Sequence, residues 1–342
     1  MLIDYRWLQS ARALEKLEQE NFLEKKARMQ WWYVDVVMSD GSVLLAAFVP
    51  KKWWLDTVDA NLDDALVMVA MLGGADRKLR SMSKTLDASR MRSSEQGLCL
   101  EIPGLTIARE GGDPATYRFT FDLPEVKGSL EVRAVARPFS AFPGGKLSGL
   151  GRAALLSGRL GTEKFSYVSQ VPRGKASGEL TLGSERIVID GHAYHEQGRF
   201  DDAPERLSKK GWFWCHFLHP EWNVFGSPGV FLYVQQQQHE RPIFRGLNLF
   251  DRSLGFKNRT LAGEPPHHQV FSGGEMRFAY GGLELSIRAD PKRNMPLISF
   301  PSATTRQIYH TLVTDAQLTV ERKGAADSFA GQMILESCWV GL

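Results

Sequence analysis

The densest run of polar and aromatic residues in the chain is Asp190-Gly-His192-Ala-Tyr194-His195-Glu196-Gln197-Gly198-Arg199. It places a phenol, an imidazole and a carboxyl at consecutive positions, the side-chain types that move protons in enzymes. If the segment is a strand, His192, Tyr194 and Glu196 face one way, and His195 and Gln197 face the other. A His and a carboxyl beside apolar rings are expected to act as a general acid pair. Burial raises a carboxyl pKa and keeps the group protonated near neutral pH. The bland alternative is a hydrogen-bonded polar latch joining two domains.

Other motifs fail on context. Gly149-Leu-Gly151-Arg-Ala-Ala154 has the glycine spacing of a dinucleotide fingerprint. It lacks a preceding apolar strand and an acidic residue about 20 positions on. No Walker A sequence and no Gly-x-Ser-x-Gly are present. Cys215, His216 and His219 are suitable zinc donors by type, but on a strand Cys215 and His216 point to opposite faces. No metal and no cofactor are therefore expected.

The elements that must position the polar run read as mainly β. A pattern with helical spacing covers residues 3–28, with Asp4 as its N-cap. After Met29 the period becomes two. Trp31-Trp32-Tyr33-Val34-Asp35-Val36-Val37 has the aromatic and β-branched content of a strand. The Asp40-Gly41 turn leads into the return strand Val43–Val49. Asn61–Met71 reads as a short helix closed by Gly73-Gly74, with a buried strand over Ala65–Leu72 as the alternative. From residue 97 onward, short strands alternate with Gly and Pro turns, as in sandwiches and barrels. Pro138–Gly161 is glycine-rich and reads as a long loop. Asp201–Gly211 reads as a linker, which divides the chain into residues 1–200 and residues 201–342. Trp31-Trp32-Tyr33 opens one set of strands, and Trp212-Phe213-Trp214 opens the other.

With 43% apolar residues, 24% charged residues and a net charge of +3, the chain has ample core material and no general field for nucleic acid. Three cysteines are too few for a disulfide framework. The longest apolar runs, Val43–Pro50 and Ala65–Leu72, fall short of the roughly 20 residues that span a bilayer. The opening residues lack the basic and apolar regions of a secretory signal. A reducing, cytoplasmic setting is expected. Arg77–Arg92 carries six basic residues and one acidic residue, which reads as a solvated surface, with a peripheral membrane or carrier-protein contact as the alternative.

Four pieces of sequence carry a family resemblance. Gln30-Trp31-Trp32-Tyr33-Val34-Asp35, with Asp40-Gly41 after it, resembles the Glu-Trp-Trp-Tyr opening of the carotenoid 1,2-hydratase (hydroxyneurosporene synthase) and AttH-like family. Gly191-His-Ala-Tyr194-His195-Glu196-Gln197-Gly198 is similar to the mid-chain Gly-x-x-Tyr-His-Asp-x-x-Gly motif of that family. Trp212-Phe-Trp214 and Gly331-Gln-Met-Ile-Leu-Glu336 resemble the opening of its second domain and its C-terminal signature. Glu196 stands where Asp is usual, and Gln197 replaces the commoner His or Asn.

The resemblance implies two lipocalin-like antiparallel β domains behind an N-terminal helix, and a lipophilic small-molecule substrate. It also implies chemistry without a redox cofactor: hydration, isomerisation or cyclisation of a polyene, isoprenoid or polyketide chain, including cycloaddition. Carried over by position, Tyr194, His195 and Glu196 are the catalytic candidates. Trp31, Trp32, Tyr33, His192, Gln197, Trp212, Trp214 and Glu336 are the substrate-binding ones. A non-enzymatic carrier of a lipophile would need only the aromatic walls.

Overall fold

The computed structural model describes residues 2–4, 29–51, 64–94, 98–111, 114–140, 165–200, 212–227, 231–239, 241–248, 258–260, 269–271, 274–290, 295–301 and 308–339. It also describes Leu14, Lys16 and Glu18. The fold is mainly β, built on two large antiparallel sheets, one a half-barrel and the other a nearly closed barrel.

The expected helix over residues 3–28 does not begin where its periodicity suggests. Leu2–Asp4 form a strand, β1, so Asp4 is not a helix cap. Leu14, Lys16 and Glu18 are helical. The backbone contacts divide the chain into Leu8–Leu207 and a second unit made of Met1–Trp7 with Ser208–Leu342. The first residues therefore belong to the C-terminal unit rather than to the domain that follows them in sequence. The proposed linker and the glycine-rich segment from residue 141 to residue 164 lie outside the described residues.

The N-terminal unit contains β2 (Met29–Met38), β3 (Val43–Lys51), β4 (Asp64–Leu72), β5 (Leu79–Asp87), β6 (Arg92–Ser94), β7 (Cys99–Ile102), β8 (Leu105–Glu110), β9 (Thr116–Asp122), β10 (Val126–Ala134), β11 (Phe165–Leu182) and β12 (Glu185–Phe200). They form one sheet in the order β5-β4-β3-β2-β12-β11-β10-β9-β8-β7-β6. The β2–β3 hairpin turns at Asp40-Gly41. Gly41 takes φ +80° there, and the Asp40 carboxylate accepts the Ser42 N–H at 2.9 Å.

One face of this sheet carries the hydrophobic core, with Trp32, Val34, Val36 and Met38 from β2 and their counterparts on the other strands. Each such fully buried side chain contributes about 1.5–3 kcal/mol. The opposite face of β2–β4 is buried as well, through Tyr33, Asp35, Leu45, Leu66, Met68 and Ala70. This double burial explains why β4 is a strand and not the expected helix. Every residue of Ala65–Leu72 is buried, so no polar stripe exists to mark a period of two, and β3 and β5 hold the segment extended between them.

Arg80 and Lys84 of the basic run lie on β5, an end strand of the sheet. Arg80 donates to Asp76 at 3.0 Å and to Glu185, and Lys84 to Glu125 at 3.0 Å. Charges on an end strand discourage pairing with foreign chains.

The C-terminal unit contains β13 (Trp212–Leu218), β14 (Trp222–Ser227), β15 (Phe231–Gln236), β16 (Phe244–Asn248), β17 (Asn258–Thr260), β18 (Gln269–Phe271), β19 (Gly274–Tyr280), β20 (Leu283–Ala289), β21 (Met295–Pro301), β22 (Ile308–Arg322) and β23 (Ala325–Trp339). Its main sheet runs β1-β16-β15-β14-β13-β23-β22-β20-β19, with β21 also on β22 and a separate β17–β18 pair. β14 and β21 were not evident in the sequence. Phe217, Val224, Val234, Phe244, Ile287 and Leu318 belong to its core. Among the described residues, no helix is long and apolar enough to cross a membrane.

Candidate active site

The polar run lies inside β12, which continues to Phe200 between β2 and β11. The alternation expected from the sequence therefore holds along its whole length, and it separates the candidate residues onto two faces.

Glu196 and Tyr194 lie on the face opposite the core, across from Tyr33 and Asp35 of β2. On the other side Ser169 stands opposite Glu196, and Tyr167 opposite Gly198. Trp31 is opposite Gly198 on β2 and donates its indole N–H to Glu196 Oε1 at 2.9 Å. Tyr194 donates its hydroxyl proton to Glu196 Oε2. That proton being committed, the Tyr167 hydroxyl donates to Tyr194. The result is a one-way chain, Tyr167 to Tyr194 to Glu196, with Trp31 on the other carboxylate oxygen. Burial, with the neighbouring Glu196 charge adding to it, pushes the Tyr194 phenol well above its usual range, so it stays a donor.

The chain is enclosed by its neighbours. Glu196 is 6% exposed and Tyr194 fully buried. The rings of Tyr33 and Tyr194 meet edge to face at 6.2 Å. Ser140 fixes the Tyr167 backbone by donating to its carbonyl at 2.6 Å. The place of Trp31 depends on Gly198, because a Cβ there would stand 2.0 Å from the indole Cζ2.

His195 is on the core face. Its Nδ1–H donates to the Tyr33 carbonyl at 2.8 Å, which leaves Nε2 as the unprotonated nitrogen. The rings of Tyr117 and Phe119 lie at 4.8 and 5.1 Å. Burial lowers its pKa to about 4, so it is neutral at physiological pH. His195 and Glu196 thus do not form the expected acid pair: adjacent strand residues point to opposite sides of the sheet. Gln197, also on the core face, accepts a hydrogen bond from Gln170 at 2.9 Å. Trp32, opposite Gln197, packs on Phe48 in the core. On that same side the buried Glu18 accepts from the Tyr117 hydroxyl at 2.6 Å and lies 3.6 Å from Arg109.

His192 shares the face of Glu196 but is exposed, four residues away, or about 13 Å along a strand. In the C-terminal unit Trp214 stands opposite Glu336 across β13 and β23. His216, on that face, bonds Asn223 at 2.8 Å and lies between the rings of Trp214 and Phe225. Cys215 is on the core side against the Gly226 carbonyl, so Cys215 and His216 diverge as expected. The strand that bears Trp212 is described, its side chain is not.

Tyr167, Ser169 and Asp35 escaped the sequence reading as site residues. Their signal is register: each faces Tyr194, Glu196 or Gly198 from a neighbouring strand. Strand pairing between distant segments is not readable from local pattern. Among the described residues, no three His, Cys, Asp or Glu side chains converge as metal donors would.

No protein-family model matches the chain, and no curated protein matches it in sequence. Solved structures share its fold. An AttH-like protein (NE1406) of Nitrosomonas europaea is 16% identical with a TM-score of 0.57, over 93% of this chain and 95% of that one. CghA, solved with Sch210972, is 11% identical with a TM-score of 0.59, over 92% and 89%. Kievitone hydratase of Nectria haematococca is 11% identical with a TM-score of 0.57, over 92% and 90%.

Proposed function

We propose that this protein is a cofactor-free enzyme of secondary metabolism and a diverged member of the carotenoid 1,2-hydratase and AttH-like family. It works on an apolar polyene, isoprenoid or polyketide chain by acid-initiated hydration, isomerisation or cyclisation. The observation that carries this reading is the buried Glu196 carboxyl held between Trp31 and the Tyr194–Tyr167 hydroxyl chain. The fold shared with kievitone hydratase and with the ligand-bound CghA supports it. The free thiols of Cys99 and Cys215 fit a reducing, cytoplasmic setting.

Glu196, once protonated, gives its proton to a terminal alkene carbon of the bound chain. A carbocation forms, and the carboxylate is left behind. Trp31 N–H and Tyr194 O–H then become charge-assisted donors, stronger than in the ground state, which is the differential stabilisation catalysis requires. The Tyr33 and Tyr194 ring faces stabilise the cation by about 1–2 kcal/mol each when water is excluded. Attack by water, which passes its surplus proton to the Glu196 carboxylate, gives an alcohol. Return of a neighbouring C–H proton to Glu196 gives an isomer. Attack by an internal double bond closes a ring and moves the cation along the chain, where loss of a C–H proton to Glu196 or capture of water quenches it.

The test is to purify the protein from its own source, extract bound lipophiles for mass spectrometry, and return them to fresh protein. An unsaturated apolar compound that is converted, with product isomeric or one water heavier, is the expected result. A lipophile that binds and is released unchanged under all conditions marks a carrier and overturns the enzymatic reading.

A further inference from the structure

The C-terminal unit has an open groove that plays no part in the chemistry above. Its volume is about 780 Å³, within the range of pockets that hold small organic ligands. Three turns line it: the β15–β16 connection, the β19–β20 turn and the end of β22. Ile243, Tyr280 and Leu283 give it apolar walls, and Arg241 and Arg322 give it a cationic rim. Among the described lining residues there is no carboxylate.

The two guanidiniums differ from their neighbours. Arg277 and Arg288, exposed on the adjoining strands β19 and β20, are both within reach of Glu275, at 2.9 and 3.8 Å. Arg241 and Arg322 form no ion pair among the described residues. Arg322 is nonetheless held in place. It donates to Gln236 Oε1 at 3.3 Å, and its guanidinium stands 5.9 Å from the Trp222 ring centroid. A fixed cation with no counter-ion among the described residues, beside an apolar wall, suits a ligand with an anionic head and an apolar body.

We propose that this groove binds a single-chain amphiphile whose carboxylate or phosphate head pairs with Arg241 and Arg322 and whose tail lies along Ile243, Tyr280 and Leu283. The head is fixed by charge, and the tail by burial of apolar surface. No residue of the Glu196 site lines the groove, and the ligand is proposed as a second one beside the reacting substrate.

The test uses the full chain and cis-parinaric acid, followed by its fluorescence, with the neutral methyl ester as the control probe. Wild type is expected to bind the acid at least tenfold more tightly than the ester and to lose that preference as salt is raised. R241E/R322E alters two exposed side chains and should keep the circular dichroism and melting temperature of wild type. It should bind the acid at least tenfold more weakly and the ester unchanged. E196Q should bind the acid as wild type does. Oleate displacing the probe best identifies a carboxylate ligand, and lysophosphatidic acid displacing it best identifies a phosphate. Equal affinity of wild type for acid and ester overturns the proposal. So does undiminished acid binding by folded R241E/R322E, loss of binding in E196Q, or displacement by neither amphiphile.

Discussion

The Trp31 indole lies across the backbone of Gly198, so close that a Cβ at residue 198 would stand 2.0 Å from Cζ2. The absence of a side chain at one position of β12 thus sets the hydrogen-bond donor of Glu196, two residues earlier on the same face.

Gly198→Ala should push the indole away and break the bond to Glu196. Forcing a methyl group into packed surroundings costs about 1–3 kcal/mol, so chemical denaturation should show that loss of stability. Turnover should fall with it. Trp31→Phe, which removes only the donor, should lower turnover about tenfold, as expected for one hydrogen bond to a charged group, with little change in stability. Equal turnover in wild type and Trp31→Phe would show that the indole N–H has no part in the chemistry.

His195 gives a pH dependence with a definite sign. Its folded pKa is about 4, against an ordinary value of 6.5, because burial disfavours the charged ring. Between those values the unfolded chain holds a proton that the folded chain does not. Stability from this group is therefore full above pH 6.5 and is lost as pH falls toward 4, by about 3 kcal/mol in all. Urea titrations at pH 7 and pH 4 measure it. His195→Asn keeps a donor for the Tyr33 carbonyl and should reduce the difference between the two pH values. A variant with the same acid sensitivity as wild type would show that His195 is not the group responsible.

Cys215 should be chemically silent in the native protein. Burial pushes its thiol up to about 12, and only a thiolate reacts. Iodoacetamide at pH 8, followed by peptide mass spectrometry, should leave Cys215 unmodified in folded protein and alkylate it in urea. Labelling without denaturant would contradict the packing of Cys215 against Gly226 and Met276.

Much of the fold was legible because strands announce themselves locally. Trp31–Val37, Val43–Val49 and Leu283–Ala289 alternate or bear β-branched and aromatic residues, and Asp40-Gly41 marks its own turn. The sequence of β4 admits both a helix and a buried strand, and the strand is what forms, because both its faces are buried, which erases the alternation. β1 was misread because three residues cannot establish a period, and their pairing with Gly246–Asn248 is a distant contact. In the site, the separation of Tyr194 and Glu196 from His195 and Gln197 followed from alternation alone. Tyr167 could not be found that way: its place beside Tyr194 depends on the β11–β12 register, which passes through irregularities between Ser169 and Gly174.

Tyr167→Phe should interrupt the hydroxyl chain while leaving Tyr194 bonded to Glu196. A loss of roughly tenfold in turnover is expected from one missing hydrogen bond in a buried network, with substrate affinity unchanged. Steady-state kinetics separate the two. A rise in KM with constant kcat would instead make Tyr167 a binding residue.

The most direct measurement is turnover of the extracted lipophile in D2O by wild type and Glu196→Gln. The amide keeps the size and acceptor oxygen of the carboxyl but has no acidic proton to deliver. Wild type should place one solvent deuterium on carbon in the product, and E196Q should be slower by about 10²–10⁴-fold. Full turnover by E196Q, or product without carbon-bound deuterium from wild type, would contradict proton donation by Glu196.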